Sequence, residues 1–509
     1  MSSPVPKMED TAPSEHLVDT TPKPDAGVQS LLSRIGGLAT EDKDNASEVS
    51  SMDIKGSSAA AEEAPDAAKA GDEEEKQKEA SAPGPASKLL QSSYDVKVTL
   101  RDQQADPNSP LFSIKSFEDL GLHPQLLKGL YAMKFQKPSK IQEKALPLLL
   151  ANPPSNMIAQ SQSGTGKTAA FSLTMLSRIA YGQELPQAIC LAPSRELARQ
   201  IEIVIQSMGK FLPLQTFLAV KDGWDRNTKV TAQVIVGTPG TVMDMIGKRV
   251  LDVKGIKVLV LDEADDMLDI QGLGDHTLRI KKMIPPAAQT LLFSATFPDR
   301  VDAFAKRFAP DANEIRLKPE ELSVEGIKQF YMDCESEEVK YDVLLELYNL
   351  LTIGQSIIFC ARRDSADVIA NRMIAEGHSV AALHGAKDAN ERDLVIDGFR
   401  DGNTKVLITT NVIARGIDIS QVTMVVNYDL PTLRQGGMGR DRVDTETYLH
   451  RVGRTGRFGR QGIAVNFVSD ENSWQAIQDL KTDLGRDIVK VATGDFDEME
   501  KTLKFHMKK

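Results

Sequence analysis

Short apolar runs alternate with amphipathic stretches along most of the chain, from Phe117 to Ser469. Short uncharged runs predict buried strands, and stretches with apolar residues at about every third or fourth position predict the helices between them. This alternation predicts a parallel sheet with helices on both faces. In the first half of the region the predicted strands are Met157–Ala159, Ala188–Ala192, Thr216–Val220, Val234–Val236, Val258–Leu261 and Thr290–Phe293.

The alternation pauses around Pro319 and then resumes. The strands predicted after the pause are Ile327–Met332, Ser356–Cys360, Val380–Leu383, Val406–Thr409, Met424–Tyr428 and Gly462–Phe467. A pause between two such series indicates a linker between domains. We therefore predict an α/β fold class with two tandem domains of parallel sheet, at 94–318 and 327–509, joined by a linker at 319–326.

The N-terminal segment 1–93 differs in composition, being rich in Ala, Ser, Pro, Glu and Asp and poor in aromatic residues. Such a segment cannot bury enough apolar surface to offset its chain entropy, so we predict a disordered, acidic N-terminal tail. A short helix that packs on a partner or on the protein's own body is expected at 28–38 or 87–90, and a transient helix with no docking site is the alternative. An autoinhibitory helix around 85–93 is a hypothesis. The chain has a net charge of −11. Because much acid lies in the tail, a basic surface elsewhere can still bind phosphate.

The three cysteines, Cys190, Cys334 and Cys360, are too scattered for a zinc site or a disulfide pattern. They predict buried thiols in a reducing compartment. The chain opens without an apolar signal core, and no segment reaches the length of a membrane span. We expect a soluble, intracellular protein without a membrane partner.

Residues 161–168, with the sequence SQSGTGKT, lie between a predicted strand and a predicted helix. In such a loop Gly164 and Gly166 allow backbone amides to turn toward phosphate oxygens. Lys167 contributes a charge to the β- and γ-phosphates, and Thr168 contributes a hydroxyl to Mg²⁺. The strict pattern begins with glycine, where this chain has Ser161. The strand and helix on either side are the context that a phosphate loop requires.

The sequence Asp262-Glu263-Ala264-Asp265 directly follows the predicted strand Val258–Leu261. Its position predicts that Asp262 holds Mg²⁺ through water and that Glu263 polarises the attacking water. Alone, the motif could be a solvated acidic loop. Together with the phosphate loop, in this order, it predicts an ATPase.

These residues and several further motifs resemble those of the DEAD-box RNA helicases. The matching stretches are FQKPSKIQ at 135–142, PSREL at 193–197, TPGT at 238–241, SAT at 294–296, TNVIARGID at 410–418 and HRVGRTGR at 450–457. The resemblance extends over about 117–469 and implies two tandem RecA-like domains. The chain departs from the usual family residues at Asp222, Thr241 and Asn411.

For the ATP site, the resemblance implies that Gln142 reads adenine, that Phe117 stacks on the base and that Phe135 belongs to the same motif. Arg454 and Arg457 of the second domain are implied as arginine fingers, although without the resemblance they would be a basic surface helix. The implied catalytic residues are Lys167, Asp262, Glu263, Arg454 and Arg457. The implied contacts to ATP are Phe117, Phe135, Gln142, Ser163, Gly164, Thr165, Gly166, Lys167, Thr168 and Asp418, and those to Mg²⁺ are Thr168 and Asp262.

The resemblance also implies contacts to the RNA backbone, which bind RNA without reading its sequence. The implied RNA-binding residues are Arg195, Thr238, Gly240, Thr410 and Arg415. A further set, Asp265, Ser294, Thr296 and His450, is implied to couple ATP hydrolysis to strand separation. Closing the two domains on ATP and RNA would assemble the site, so RNA should stimulate hydrolysis and a short duplex should be pried apart locally.

Within the family, a narrower set of stretches resembles the mRNA-export helicase of the nuclear pore: residues 104–111, 159–168, 238–241 and 410–411, and the insert 432–447. This resemblance implies ATP-dependent remodelling of mRNA–protein particles at the cytoplasmic face of the pore, with further presence in cytoplasm and nucleus. The implied partners are single-stranded RNA or mRNA, a β-propeller nucleoporin, and an export mediator that uses inositol hexakisphosphate. We expect a monomer.

Other functions remain open at this point. The chain could be an ATP-gated RNA clamp with slow hydrolysis, or a family member acting in translation or ribosome assembly. A DNA translocase of the same superfamily is a third alternative, against which the adenine motif around Gln142 argues.

Overall fold

The structure, a computed structural model, describes residues 96–100, 114–160, 165–221, 223–225, 227–270, 272–317, 326–350, 354–411, 421–433, 441–456 and 461–508. The tail predicted at 1–93 and most of the predicted linker lie outside the described residues. The predicted fold class is confirmed, with two RecA-like α/β units. We call them lobe 1 (96–317) and lobe 2 (326–508).

Lobe 1 contains an eight-stranded sheet in the order β1-β8-β2-β7-β6-β3-β5-β4. Only β1 runs antiparallel, along β8, and the other neighbours are parallel. The strands are β1 Val96–Thr99, β2 Met157–Gln160, β3 Ala188–Leu191, β4 Thr216–Ala219, β5 Val234–Gly237, β6 Val258–Leu261, β7 Gln289–Ser294 and β8 Asn313–Leu317. All residues of β2, β3, β5, β6 and β7 are buried, as expected for parallel strands covered on both faces.

The helices of lobe 1 lie on both faces of this sheet and bury two apolar clusters against it. They are Pro124–Ala132, Lys140–Leu150, Lys167–Arg178, Arg195–Met208, Pro239–Gly247, Ala264–Asp269, Leu273–Met283 and Asp299–Phe308, with a 3₁₀ turn at Glu118–Leu120.

Lobe 2 contains a seven-stranded parallel sheet in the order β11-β12-β10-β13-β16-β9-β17. Its strands are β9 Ile327–Asp333, β10 Gln355–Phe359, β11 Val380–Leu383, β12 Val406–Thr409, β13 Val422–Asn427, β16 Gly462–Val468 and β17 Val489–Val491. Its helices are Glu337–Leu350, Arg363–Ala375, Ala389–Arg400, Thr445–Val452, Glu471–Leu484 and Phe496–Lys508. No described helix combines the length and apolar character needed to cross a membrane.

The insert predicted at 432–447 contains a small antiparallel ribbon of β14 (Thr432–Leu433) and β15 (Arg442–Val443). The residues between these strands lie outside the described part of the chain. After Val443 the insert leads into the helix Thr445–Val452, which carries the start of the predicted histidine and arginine motif.

Parallel strands gather the candidate residues at one edge of each sheet. The phosphate loop follows β2, Asp262 follows β6, Thr296 follows β7, and Arg195 and Thr238 lie shortly after β3 and β5. Ligands bind at the carboxyl ends of the strands in open α/β sheets, so this edge is where a site is expected. The three cysteines are free and buried, which confirms the prediction of buried thiols.

Candidate nucleotide site and lobe junction

The phosphate loop ends at the first turn of the helix Lys167–Arg178. Gly166 is the residue before this helix and has φ +101°, a left-handed conformation that favours glycine. A Cβ there would also collide with the side-chain amide of Gln142. Lys167 is the first helical residue and is buried, whereas Thr168 is partly exposed. The helix N-terminus with its free N–H groups favours an anion beside Lys167.

The predicted loop residues Ser163 and Gly164 lie outside the described residues. Thr165 is described, and its carbonyl oxygen accepts a hydrogen bond from Ser139 Oγ at 2.7 Å. The adenine motif is thus joined to the phosphate loop by the same serine that begins the helix Lys140–Leu150.

Gln142, predicted to read adenine, is buried beside the phosphate loop. Its Oε1 accepts a hydrogen bond from the Ser139 N–H at 2.9 Å, as part of a capping box. Its Nε2 donates to the carbonyl oxygen of Gly166 at 2.9 Å. One amide hydrogen and one lone pair remain for a base, so the adenine contact stays a prediction. The side chain also holds the start of the helix and the loop in one arrangement.

The two aromatic residues predicted for the base differ in accessibility. Phe117 is completely buried in the lobe 1 core, so its ring offers no face on which a base can stack. The stacking predicted for Phe117 is therefore not supported by this arrangement, because the ring is used in core packing. Phe135 is only partly buried and lies at the edge of the same core. It is the accessible aromatic residue of the pair.

Asp262 and Glu263 end β6 as the sequence predicts, and both are buried. Asp262 Oδ1 accepts a hydrogen bond from the Glu263 N–H at 3.0 Å. Burial raises the pKa of Asp262 to about 7, although the charge of Lys167 opposes the shift. A bound cation would stabilise the buried negative charge of Asp262. The residue therefore fits a role as a ligand of Mg²⁺.

Glu263 has a left-handed backbone, with φ 49° and ψ 60°, which is uncommon for a non-glycine residue. Its Oε2 atom is buried and has no hydrogen-bond partner among the described residues. A strained backbone that holds an unpaired carboxylate oxygen is typical of functional sites. The geometry is that expected for a group that acts on a bound water.

Asp265 is fully buried and is held by the loop that follows β7. Its N–H donates to Ser294 Oγ at 3.1 Å, and its Oδ2 accepts from both the N–H and the hydroxyl of Thr296 at 2.9 Å. Nε2 of His450, from lobe 2, lies 3.5 Å from the same Oδ2. Burial would raise the pKa of Asp265, but His450 and the Thr296 N–H outweigh it and hold the pKa well below its usual range. All four predicted coupling residues therefore meet in one place.

A residue that the sequence did not single out, Glu446, completes this group. Thr296 Oγ1 lies 2.6 Å from Glu446 Oε1. Glu446 lies four residues before His450 on the helix Thr445–Val452, and this spacing places both side chains on the same helix face. This four-residue spacing is the signal by which the sequence could have identified Glu446. We call Asp265, Thr296, Glu446 and His450 the carboxylate–histidine cluster.

Ligand atoms of Asp265, Glu446 and His450 lie within 4.8 Å of one another, close enough for a metal ion. The Thr296 hydroxyl lies within hydrogen-bond distance of both carboxylates. Hydrogen bonding thus accounts for the approach of the carboxylates.

Of the two predicted arginine fingers, Arg454 is described and Arg457 is not. Arg454 is buried, and its Nε donates to the carbonyl oxygen of His450 at 3.0 Å. The neighbouring Arg451 is also buried, but lobe 2 itself uses its guanidinium. It donates to Oδ1 of Asn411 and of Asn427 at 3.0 Å each, and to the Asp429 carbonyl oxygen at 2.7 Å. Burial lowers the pKa of Arg451 to about 10.

Charged side chains join the helix Arg195–Met208 of lobe 1 to the helix Ala389–Arg400 of lobe 2. Arg195 Nη2 lies 3.0 Å from Asp393 Oδ2, and Arg199 Nη2 lies 2.7 Å from Asp397 Oδ2. The reverse pairing, Arg392 Nη1 to Glu196 Oε1, measures 3.1 Å. We call the six residues Arg195, Glu196, Arg199, Arg392, Asp393 and Asp397 the charged clasp. Arg195, predicted to bind RNA, is thus paired with a carboxylate.

The other residues predicted to bind RNA lie at strand ends. Thr238 precedes the helix Pro239–Gly247, and its hydroxyl donates to Thr241 Oγ1 at 3.2 Å. Gly240 and Thr410 are partly exposed, so their backbones can be reached. Arg415 and the predicted ribose contact Asp418 lie outside the described residues, as does Asp222.

Two family profiles match the chain. The DEAD/DEAH box helicase profile covers residues 139–304, and the helicase conserved C-terminal domain profile covers residues 339–459. The ATP-dependent RNA helicase dbp5 of Schizosaccharomyces pombe is 62% identical over 422 residues, which span 83% of each chain.

Solved structures of Saccharomyces cerevisiae Dbp5 are also similar. Dbp5 bound to RNA and ADP BeF3 is 57% identical with a TM-score of 0.73, over 77% of this chain and 99% of that one. A Dbp5 variant bound to Nup159, Gle1, IP6 and ADP is 55% identical with a TM-score of 0.59, over 76% of this chain and 100% of that one.

Proposed function

The chain belongs to the DEAD-box family of ATP-dependent RNA helicases, and from this premise we propose that its two lobes complete one ATP site by closing together on RNA. The observation that carries the proposal is the contact of His450 and Glu446 of lobe 2 with Asp265 and Thr296 of lobe 1. The reaction is hydrolysis of ATP to ADP and phosphate, and its work is local unwinding of RNA and remodelling of mRNA–protein particles.

Lobe 1 supplies the groups that bind ATP and activate water. Lys167 and the helix N-terminus behind it hold the phosphates, and Glu263 orients the attacking water toward the γ-phosphate. Asp262 and Thr168 are the residues that would hold Mg²⁺, which supplies charge neutralisation at the β- and γ-phosphates when bound. The buried carboxyl of Asp262, with its raised pKa, supports this assignment.

Lobe 2 supplies positive charge for the transition state. Arg454 is buried next to His450, so its guanidinium approaches the nucleotide only as far as the helix Thr445–Val452 docks on lobe 1. An arginine finger contributes about 10³–10⁵ in rate, so separated lobes should hydrolyse ATP slowly. Arg457 is proposed as a second finger on the same motif.

RNA binding is proposed across both lobes, through backbone contacts of Arg195, Thr238 and Gly240 in lobe 1 and Thr410 and Arg415 in lobe 2. The contacts carry no base information, so we expect little sequence preference. Selectivity for RNA over DNA would come from the 2′-OH. The structure of S. cerevisiae Dbp5 with RNA and ADP BeF3 supports this part of the proposal.

The partners follow from the relatives. S. cerevisiae Dbp5 has been solved with Nup159, Gle1 and IP6, and this chain is proposed to bind a counterpart of each. Its proposed place of action is the cytoplasmic face of the nuclear pore during mRNA export, with further presence in cytoplasm and nucleus.

The direct test measures ATP hydrolysis of the full chain with and without single-stranded RNA, and repeats both with Gle1 and IP6. We expect RNA to raise kcat by an order of magnitude or more, because closure brings in a finger worth about 10³–10⁵. Glu263→Gln serves as the control for contaminating ATPase. RNA-independent hydrolysis at the full rate would overturn the proposal, and equal stimulation by single-stranded DNA would favour a DNA translocase.

A further inference from the structure

Glu446 of lobe 2 reaches into the hydrogen-bond group that surrounds Asp265 in lobe 1. Its Oε1 lies 2.6 Å from Thr296 Oγ1, and its side chain is 21% exposed. Thr296 Oγ1 is also 2.9 Å from Asp265 Oδ2. One hydroxyl therefore contacts two carboxylates, one from each lobe.

A hydroxyl carries one hydrogen, so Thr296 can donate to only one of these carboxylates at a time. The shorter distance is to Glu446. Two other groups lie at the same oxygen of Asp265: the Thr296 N–H donates to it at 2.9 Å, and the His450 Nε2 lies 3.5 Å away, within ion-pair distance. Asp265 can therefore give up the hydroxyl hydrogen without being left unpaired.

We propose that Glu446 is a positioning residue that takes the Thr296 hydroxyl hydrogen from Asp265 when the lobes close, while His450 replaces it at Asp265. The inference rests on the proposed function, since it needs lobes that close. In separated lobes Glu446 and His450 are absent from Asp265, and the hydroxyl of Thr296 donates to that carboxylate. Closure thus replaces a hydrogen-bond donor within lobe 1 by a close side-chain partner from lobe 2.

The exchange explains how the motif that follows β7 changes its hydrogen bonds when the lobes close. Thr296 lies at the end of β7, and Asp265 lies three residues after Asp262 in the motif that follows β6. A hydrogen that moves from Asp265 to Glu446 changes the contact between these two loops without breaking a strand. Glu446 contacts Thr296 and Arg300, and the residues proposed to bind ATP are others, so its effect should fall on kcat in the closed state rather than on ATP binding.

Two other contacts near Glu446 and His450 offer alternative explanations for an effect of Glu446. Arg300 Nη2 lies 3.8 Å from Glu446 Oε2, and its side chain is 52% exposed. A pair at this distance and exposure contributes little. His450 Nδ1 lies 3.8 Å from Asp266 Oδ1, which helps to orient the imidazole. A function of Glu446 through Arg300 instead of Thr296 is therefore the alternative that the experiment must separate.

The first test compares Glu446→Ala and Glu446→Gln in the full chain. For Glu446→Ala we expect RNA-stimulated kcat to fall about tenfold or more, the loss expected for one charge-assisted hydrogen bond, with KM for ATP within about twofold of the parent. Glu446→Gln keeps an acceptor oxygen and should recover most of the rate. Glu471→Ala is the matched control, because Glu471 is also in the first turn of a lobe 2 helix and is exposed.

The second test is a double-mutant cycle with Thr296→Val, which keeps the shape and removes the hydroxyl. Glu446→Ala should cost nothing further in the Thr296→Val background and should keep its full effect in an Arg300→Ala background. Affinity for single-stranded RNA in the presence of ADP and beryllium fluoride gives a second readout that needs closure but no hydrolysis. Equal losses in both Thr296 backgrounds would overturn the inference.

The cycle also separates this inference from the proposed function. If His450→Ala lowers kcat but Glu446→Ala leaves it unchanged, lobe closure stands and the donor exchange is wrong. If neither substitution changes RNA-stimulated kcat, the closure of the lobes at this place is itself wrong. Thermal unfolding of each variant confirms that a loss of rate is not a loss of folding.

Discussion

Two regions join the lobes, and they differ in burial and in the kind of interaction. In the carboxylate–histidine cluster the side chains of Asp265 and His450 are 0% and 6% exposed, and hydrogen bonds of defined direction hold Asp265. In the charged clasp, Arg199 and Asp397 are 28% and 37% exposed, and ion pairs hold them. A buried hydrogen bond depends steeply on geometry, whereas a partly exposed ion pair tolerates movement and is screened by salt.

The difference indicates a division of labour. The cluster lies beside Asp262 and Glu263, so a small misplacement there should change the chemistry. The clasp includes Arg195, which is predicted to bind RNA, so it should change how readily the lobes close and what competes with RNA. We expect large, salt-insensitive effects from the first region and small, salt-sensitive effects from the second.

The largest effect is expected at the end of the helix that carries the cluster. Arg454→Ala should lower RNA-stimulated kcat by about 10³-fold or more, because the proposed finger no longer stabilises charge on the γ-phosphate. Steady-state hydrolysis at two salt concentrations measures both the loss and its insensitivity to salt. Arg442→Ala is the control, since Arg442 pairs with Asp483 within lobe 2. A loss of less than about tenfold would remove Arg454 from the catalytic group.

A large effect on stability is expected one turn earlier. Arg451→Leu removes a buried guanidinium and leaves Asn411, Asn427 and the Asp429 carbonyl without their donor. We expect a loss of about 2–4 kcal/mol in the free energy of unfolding of lobe 2. Urea unfolding measures the loss, and Lys481→Ala, at a lobe 2 residue paired with Asp487, is the control. An unchanged free energy of unfolding would mean that the helix Thr445–Val452 does not depend on Arg451 for its stability.

Much of the fold was predictable because buried parallel strands leave a clear apolar pattern. Val258–Leu261, Val380–Leu383 and Val406–Thr409 have the predicted bounds, and most other predicted strands differ by one or two residues at an end. β1, β8 and β17 were missed, because β1 and β17 are short strands at sheet edges and β8 alternates polar and apolar residues. An edge strand with one covered face carries a weaker pattern than a central one.

The sequence predicted correctly the positions of those site residues that belong to one short motif at the end of a strand. The positions of Lys167, Asp262, Glu263, Asp265 and Thr296 at strand ends are as expected. Their roles stay predictions, since identity of a motif does not test chemistry. Phe117 shows the opposite limit, because a motif aromatic residue can equally be a core residue, and here the core contains it.

Contacts between lobes were the part that the sequence could not give. Glu446 and Thr296 are 150 residues apart, and Arg199 and Asp397 are 198 apart. Nothing local marks such partners, since an acidic residue on a helix is usually solvated. Only the four-residue spacing of Glu446 and His450 hinted that both face one neighbour.

A moderate and two-sided effect is expected from the clasp. Asp393→Asn with Asp397→Asn should weaken closure, because Arg195 and Arg199 lose their carboxylate partners. In nucleotide-free molecules whose lobes the clasp holds together, the same change frees both arginines for phosphate. We therefore expect RNA affinity with ADP and beryllium fluoride to fall about three- to tenfold, and affinity without nucleotide to rise by a similar factor.

Fluorescence anisotropy with labelled single-stranded RNA measures both affinities, and titrating salt checks that the difference shrinks as charge is screened. Asp479→Asn with Asp497→Asn, at two lobe 2 residues outside the clasp, is the control for the same change of two in net charge. A fall in both affinities would mean that the carboxylates do not compete with RNA for Arg195.

The smallest effect is expected at a position where this chain departs from its family. Thr241 occupies the place where the family usually has arginine, and it accepts a hydrogen bond from the Thr238 hydroxyl. Thr241→Arg should add one phosphate contact in lobe 1, raising RNA affinity a few-fold and steepening its salt dependence by about 0.7 in logarithmic slope, the single-strand value for one contact. Thr241→Gln is the matched control, because it adds length without charge. If Thr241→Gln raises RNA affinity as much as Thr241→Arg does, the gain comes from packing beside Thr238 and not from a phosphate contact. The charged clasp would then be the remaining evidence that salt-sensitive contacts affect RNA binding.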